Sequence, residues 1–177
     1  MNWKLALLLL IPAWGSAQVA DGSGTGQRID PADGATTQQN QSVHWYIEGA
    51  RQGYASSQYQ LGKMYQSGEG VEQDFSQAAR WFSLAAMQDY ASAQYALGEL
   101  YRQGTGVEMD YPAAYAWYHV AAMNRFHAAR DARDRLALLM DANQISLAHW
   151  QVKKIWKRIT AAQARVSVDE ETLPILE

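Results

Sequence analysis

A chain of 177 residues that is 48% hydrophobic and 19% charged carries apolar material for one modest domain. Its formal net charge of −3 gives no overall electrostatic reason to expect a nucleic acid partner. It has no cysteine, which excludes a disulfide framework, a thiolate metal site, a cysteine nucleophile and a lipid-bearing cysteine, so stability must come from packing.

The first segment, MNWKLALLLLIPAWGSAQ, places Lys4 ahead of an apolar run from Leu5 to Ile11, with Gly15 and Ala17 at the small-residue positions before Gln18. This pattern predicts a secretory signal peptide over 1–17, cleaved near Ala17. The run is far shorter than the roughly 20 residues that span a bilayer, so the expected location is periplasmic or secreted. Residues 18–41 are rich in Gly, Asp, Thr and Gln and nearly free of large apolar side chains. Such a stretch cannot bury enough surface to offset its ordering entropy, and a disordered linker is expected.

From residue 42 onward the chain repeats itself. Leu61 and Leu97, Gly62 and Gly98, Tyr65 and Tyr101, Gly68 and Gly104, Asp74 and Asp110, and Trp81 and Trp117 are each separated by 36 positions. The units are a partial one at 42–54, full ones at 55–90 and 91–126, and a degenerate cap at 127–162; an acidic tail at 163–177 follows. Each full unit predicts a helical hairpin. Ser57, Leu61, Met64 and Tyr65 form the buried stripe of the first helix, and Ala78, Trp81, Phe82, Ala85 and Ala86 that of the second. A glycine inside a helix costs roughly 1 kcal/mol against alanine, so its recurrence at 62 and 98 implies close approach by a neighbouring helix. Gly68-Glu69-Gly70 and Gly104-Thr105-Gly106 end the first helices, Asp74 and Asp110 cap the second, and Gln77 stands at a capping-box position. Trp45, Trp81 and Trp117 recur at the repeat period and read as core, with Trp150 joining them.

These residues resemble the Sel1-like repeat, a relative of the tetratricopeptide repeat, in ASSQYQLGKMYQSGEGVEQDFSQAARWFSLAA from Ala55 and ASAQYALGELYRQGTGVEMDYPAAYAWYHVAA from Ala91. The resemblance implies an all-α solenoid of stacked hairpins with a terminal capping helix pair. It also implies a function in binding other proteins, often in envelope assembly, secretion or host contact. Asp141 and Gln144 form a capping box for the last helix, where the glycine loop of the repeat is lacking.

Chemistry-bearing constellations are sparse. His44, His119, His127 and His149 are too dispersed for a helical metal pair, and no cofactor motif is present. The enzymatic alternative is a small serine hydrolase or peptidoglycan-active enzyme of the β-lactamase-like kind. It needs a Ser-x-x-Lys element, whereas Ser56, Ser57, Ser92 and Ser146 are followed three places later by Tyr59, Gln60, Tyr95 and His149. No catalytic residue is assigned. Asp131 and Asp134 among Arg130, Arg133 and Arg135 suit ion pairing on a wet helix face.

Two surfaces remain as candidates for binding a protein or peptide. On the first helices, Gln60, Lys63 and Gln66, with Ala96, Glu99 and Arg102 one unit on, lie off the core stripe where the copies differ; these positions are expected to be solvated and free for recognition. Lys153, Lys154, Lys157 and Arg158 form a basic helical surface near the end, which also permits a role at an anionic membrane surface.

Overall fold

The computed structural model describes residues 42–171, with side chains described through residue 164. The expected signal peptide, the linker at 18–41 and residues 172–177 of the tail lie outside the described residues. Within them the elements are α-helices: α1 (42–51), α2 (Ala55–Ser67), α3 (Phe75–Met87), α4 (Ala91–Gln103), α5 (Tyr111–Met123), α6 (His127–Ala137) and α7 (Ala142–Glu171). Helix α2 pairs with α3 and α4 with α5, while α3 packs on α4 and α5 on α6, which gives the stacked hairpins of an α-solenoid.

The local devices follow the repeat. Gly68 and Gly104 adopt φ of 77° and 68° at the ends of α2 and α4, and their N–H groups return to the carbonyls of Met64 and Leu100. The Asp74 carboxylate accepts from the N–H groups of Ser76 and Gln77, and that of Asp110 accepts from Ala113 N–H. Gln77 does not complete a capping box, because the Asp74 N–H donates to the Tyr65 carbonyl at 2.9 Å. The box does form at α7: Asp141 N–H donates to Gln144 Oε1 at 3.0 Å and Gln144 N–H to Asp141 Oδ1 at 2.8 Å.

The mid-helix glycines are crossing points. A Cβ on Gly62 would stand 2.6 Å from Phe82 Cδ1, and one on Gly98 would stand 2.7 Å from Tyr118 Cδ1. Phe82 and Tyr118 are both fully buried, so each repeat seats one large ring against a helix backbone. Tyr59 lies against Phe82 and Tyr90, and Tyr95 repeats the arrangement against Tyr118 and Phe126.

A polar ladder accompanies the aromatic one. Gln94, fully buried, donates from Nε2 to the Ala86 carbonyl at 3.2 Å and to Asp89 Oδ1 at 2.9 Å, and its Oε1 accepts from Asn124 Nδ2 at 3.2 Å. One unit earlier Gln58 reaches the Ala50 carbonyl and accepts from Gln88. These glutamines tie the end of each second helix to the next hairpin, adding a side-chain donor to carbonyls that also accept from the Gly53 and Asp89 N–H groups.

The end of the solenoid is asymmetric. Helix α7 makes only minor contact with α6 and packs along α5, with a smaller contact to α3. Its inward stripe, Ile145, Ala148, Val152, Ile155 and Ile159, is spaced three and four residues apart; Ala148 and Ile159 are fully buried, and Ile155 packs on the cluster that includes Trp117. The helix continues to Glu171, so the acidic segment expected from 163 begins inside it.

The tryptophans correct the sequence reading. Trp117 is 8% exposed, Trp81 half-buried, and Trp45 80% exposed. The repeat position therefore does not by itself confer burial: of the three, Trp117 alone is buried, in the cluster that α7 covers. Trp150 is 56% exposed on the outer side of α7, with the Lys154 ammonium 4.9 Å from its ring centre, and is likewise not core.

Candidate binding surface

The structure splits the stripe expected on the first helices. In the first full unit, Gln60, Lys63 and Gln66 line one cleft of about 600 Å³ between α1 and α2, together with Tyr46, Met64 and Glu69. Lys63 is exposed, and Gln60 and Gln66 are half-buried. This cleft offers aliphatic and aromatic walls with amide and charged groups at hydrogen-bonding reach, a composition suited to a peptide backbone and mixed side chains.

In the second unit the corresponding residues are engaged with the fold. Tyr118 Oη–H donates to Glu99 Oε1, while Arg102 Nη2 and Gln103 Nε2 donate to Glu99 Oε2 at 2.8 and 3.0 Å. Glu99 is thus not the free solvated charge the sequence suggested. Position 99 differs from position 63 because the core ring beneath it differs: Tyr118 brings a hydroxyl that needs an acceptor, and its counterpart Phe82 brings none. Ala96 is half-buried and Arg102 is held in the ion pair with Glu99.

Burial works to raise the Glu99 pKa, but the hydrogen bonds from Arg102 and Tyr118 and the Arg102 charge outweigh it, leaving the carboxyl below its ordinary value of 4.5. A carboxyl depressed on folding contributes stability that is present above its unfolded pKa and lost as pH falls through the folded value. Glu99→Gln should therefore destabilise by about 1 kcal/mol at neutral pH, with the gap closing in melts below about pH 4. A gap that persists at low pH would assign the effect to packing.

Lys153, Lys154, Lys157 and Arg158 are exposed on α7, on the side opposite its buried stripe. Leu147 and Trp150 are exposed on the same helix, and Leu138 and Leu139 on the turn before it. Among the described residues no helix is long and apolar enough to cross a membrane. His44, His127 and His149 are exposed, whereas His119, on α5, is half-buried with its ring against Tyr115. Its pKa is lowered by burial, then by the charge of Arg133 and by His149. Arg133 pairs with the adjacent Asp134 at 2.7 Å. Among the described residues no group of three or more His, Asp or Glu side chains is placed to hold a metal ion.

What the sequence reading missed is the buried glutamine ladder and the coupling of positions 99 and 118. The signal for the first was present, because Gln58 and Gln94 recur at the same interval as the core residues.

Comparison with known proteins agrees with this architecture. The Sel1 repeat pattern matches residues 17–54, 55–90 and 91–125. Among solved structures the chain is similar to a protective antigen present in uropathogenic Escherichia coli strains displaying an SLR fold, at 29% identity and a TM-score of 0.66; the match covers 78% of this chain and 30% of that one. It is also similar to a Sel1 repeat protein from Oxalobacter formigenes, at 27% identity and a TM-score of 0.50, covering 59% of this chain and 51% of the other. The chain thus spans about a third and a half of the lengths of these two relatives. No curated protein matches it. Sel1 repeats generally serve as scaffolds for protein interaction. The period of 36, the glycine-seated rings, the capped hairpins and the matching repeat pattern together place this chain in the Sel1 repeat family.

Proposed function

We propose that this chain is an exported, non-catalytic scaffold that holds a protein or peptide partner in a bacterial cell envelope. The observation that carries the reading is the α1–α2 cleft, which gathers Gln60, Lys63 and Gln66 beside Tyr46 on an open solenoid surface. The apolar, small-residue start of the sequence supports export, and the family supports a protein ligand. Glu99 and Arg102 have a structural role in this reading, and recognition rests on the earlier unit.

The test places a photo-crosslinking residue at Gln66 in the native host. Discrete adducts with an envelope protein are expected, on a chain whose intact mass begins near Gln18. Lys63→Glu should weaken capture severalfold, and more at low salt, where the charge is least screened. The same probe at Lys157 should give little. Adducts only with bulk cell wall, or a dominant adduct at Lys157, would move the partner site to the basic face of α7.

A further inference from the structure

The outer face of α7 is free of the core, and it is more than a solvated charged surface. On a helix of 3.6 residues per turn, Leu147, Trp150, Lys154 and Lys157 fall within one arc of about 80° on the side opposite the buried stripe, and all four are exposed. Lys153 and Arg158 flank that arc. From Ala142 to Ala164 the helix carries these four cations and no carboxylate, and Asp141 before it is held in the capping box.

The turn that leads into α7 adds two leucines. Leu138 is 86% exposed and Leu139 68%, so both side chains project into solvent rather than line a groove. The repeat does not ask for them: at the same positions the earlier units have Gln66 and Ser67, and Arg102 and Gln103, which end α2 and α4 as polar residues. Along the molecule the order is an aliphatic tip, then Trp150 with the Lys154 ammonium 4.9 Å from its ring centre, then the remaining cations. That order matches the layers of a bilayer surface, where leucine enters hydrocarbon, tryptophan sits at the interface and lysine reaches the headgroups.

We infer that this end of the molecule rests on an anionic bilayer, with the leucines and Trp150 entering the interface and Lys154 and Lys157 meeting lipid phosphates. The chain lies on the membrane in this arrangement and does not span it, in accord with the lack of a long apolar helix among the described residues. A second copy of the chain fits poorly as the occupant, since a two-fold contact brings two sets of these cations into one interface. A folded partner needs one shaped surface for leucines projecting from a turn and for cations farther along a helix, whereas a fluid bilayer takes both. The inference stands or fails apart from the α1–α2 cleft.

The experiment measures co-sedimentation of the chain, as its native host produces it, with vesicles of phosphatidylcholine alone and with vesicles of equal parts phosphatidylcholine and phosphatidylglycerol. The anionic vesicles should bind it about 10-fold tighter or more, and Lys154→Glu with Lys157→Glu should remove that difference, while an unchanged melt shows an intact fold. Lys154→Arg with Lys157→Arg should retain it. Leu138→Ser with Leu139→Ser should weaken binding severalfold at constant charge, and Leu138→Met with Leu139→Met should not. The chain has no cysteine, so Leu139→Cys and, in the α2–α3 loop, Glu72→Cys each give a single position for an environment-sensitive dye. The dye at 139 should shift to the blue on anionic vesicles and the dye at 72 should not. Equal binding to both kinds of vesicle, indifference to the lysine reversals or to the leucine changes, a dye at 139 that stays in water on bound vesicles, or a dominant protein adduct captured from Lys157 would overturn the inference.

Discussion

Gly62→Leu and Gly98→Leu should each lower stability by about 1–3 kcal/mol through overpacking, and more if the ring cannot move. The sign is not obvious, because replacing a mid-helix glycine gains roughly 0.8–1.0 kcal/mol of intrinsic helix propensity with alanine and somewhat less with leucine. Geometry decides it. The first added carbon at 62 would meet Phe82 Cδ1 and Cε1 at 2.6 Å, and at 98 it would meet Tyr118 Cδ1 and Cε1 at 2.7 Å and the Ala114 carbonyl oxygen at 3.3 Å. Both rings are fully buried and hemmed by further rings, so neither can step aside without disturbing Tyr59 or Tyr95. The control is Lys63→Leu, next to Gly62 and exposed, which should change the melt by about 0.5 kcal/mol or less. Pairing Gly62→Ala with Phe82→Leu should cost less than the sum of the single changes, since the smaller side chain vacates the clash. Equal melts for Gly62→Leu and Lys63→Leu would end the account of these glycines as seats for the rings.

Repetition made this part of the fold legible, and it also set the limit of what could be read. A residue that recurs at 36 positions answers to something that itself recurs, such as the glycine under a ring or the aspartate capping a helix. Trp45, Trp81 and Trp117 recur too, yet only the last is buried, because the helix that packs there is a single non-repeated element. Differences between copies misled in the opposite direction. Lys63 and Glu99 looked like positions the fold leaves free, whereas Glu99 answers the hydroxyl that distinguishes Tyr118 from Phe82. A pair of changes one helix apart is invisible to a reading that takes each position alone. The candidate clefts were legible only as lists of polar residues, since the grouping of Gln60, Lys63 and Gln66 with Tyr46 depends on how α1 lies against α2.

Helix α7 is the element whose removal should matter most. Ending the chain at Asp141 would strip the cover of Ala148, Ile155 and Ile159 from α5 and α3 and expose the cluster around Trp117. Full burial of an isoleucine stabilises by about 1.5–3 kcal/mol, which applies to Ile159, and the partly buried Ile155 adds to it, together a large share of a small domain's stability. Because α5 is buried on nearly every side, with Pro112 through Tyr118 all buried, it cannot tolerate losing one neighbour as a surface helix would. The truncated chain should therefore melt well below the intact one and show Trp117 in a solvated environment by fluorine NMR of fluorotryptophan-labelled protein. A single change refines the claim: Ile159→Ala should cost about 2–5 kcal/mol as a large-to-small change at a fully buried position. Lys157→Ala, on the exposed side of the same helix, should cost about 0.5 kcal/mol or less. If truncation leaves the melt in place, the stacked hairpins are self-sufficient, α7 is a passenger, and the burial of Trp117 must be supplied by its own repeat.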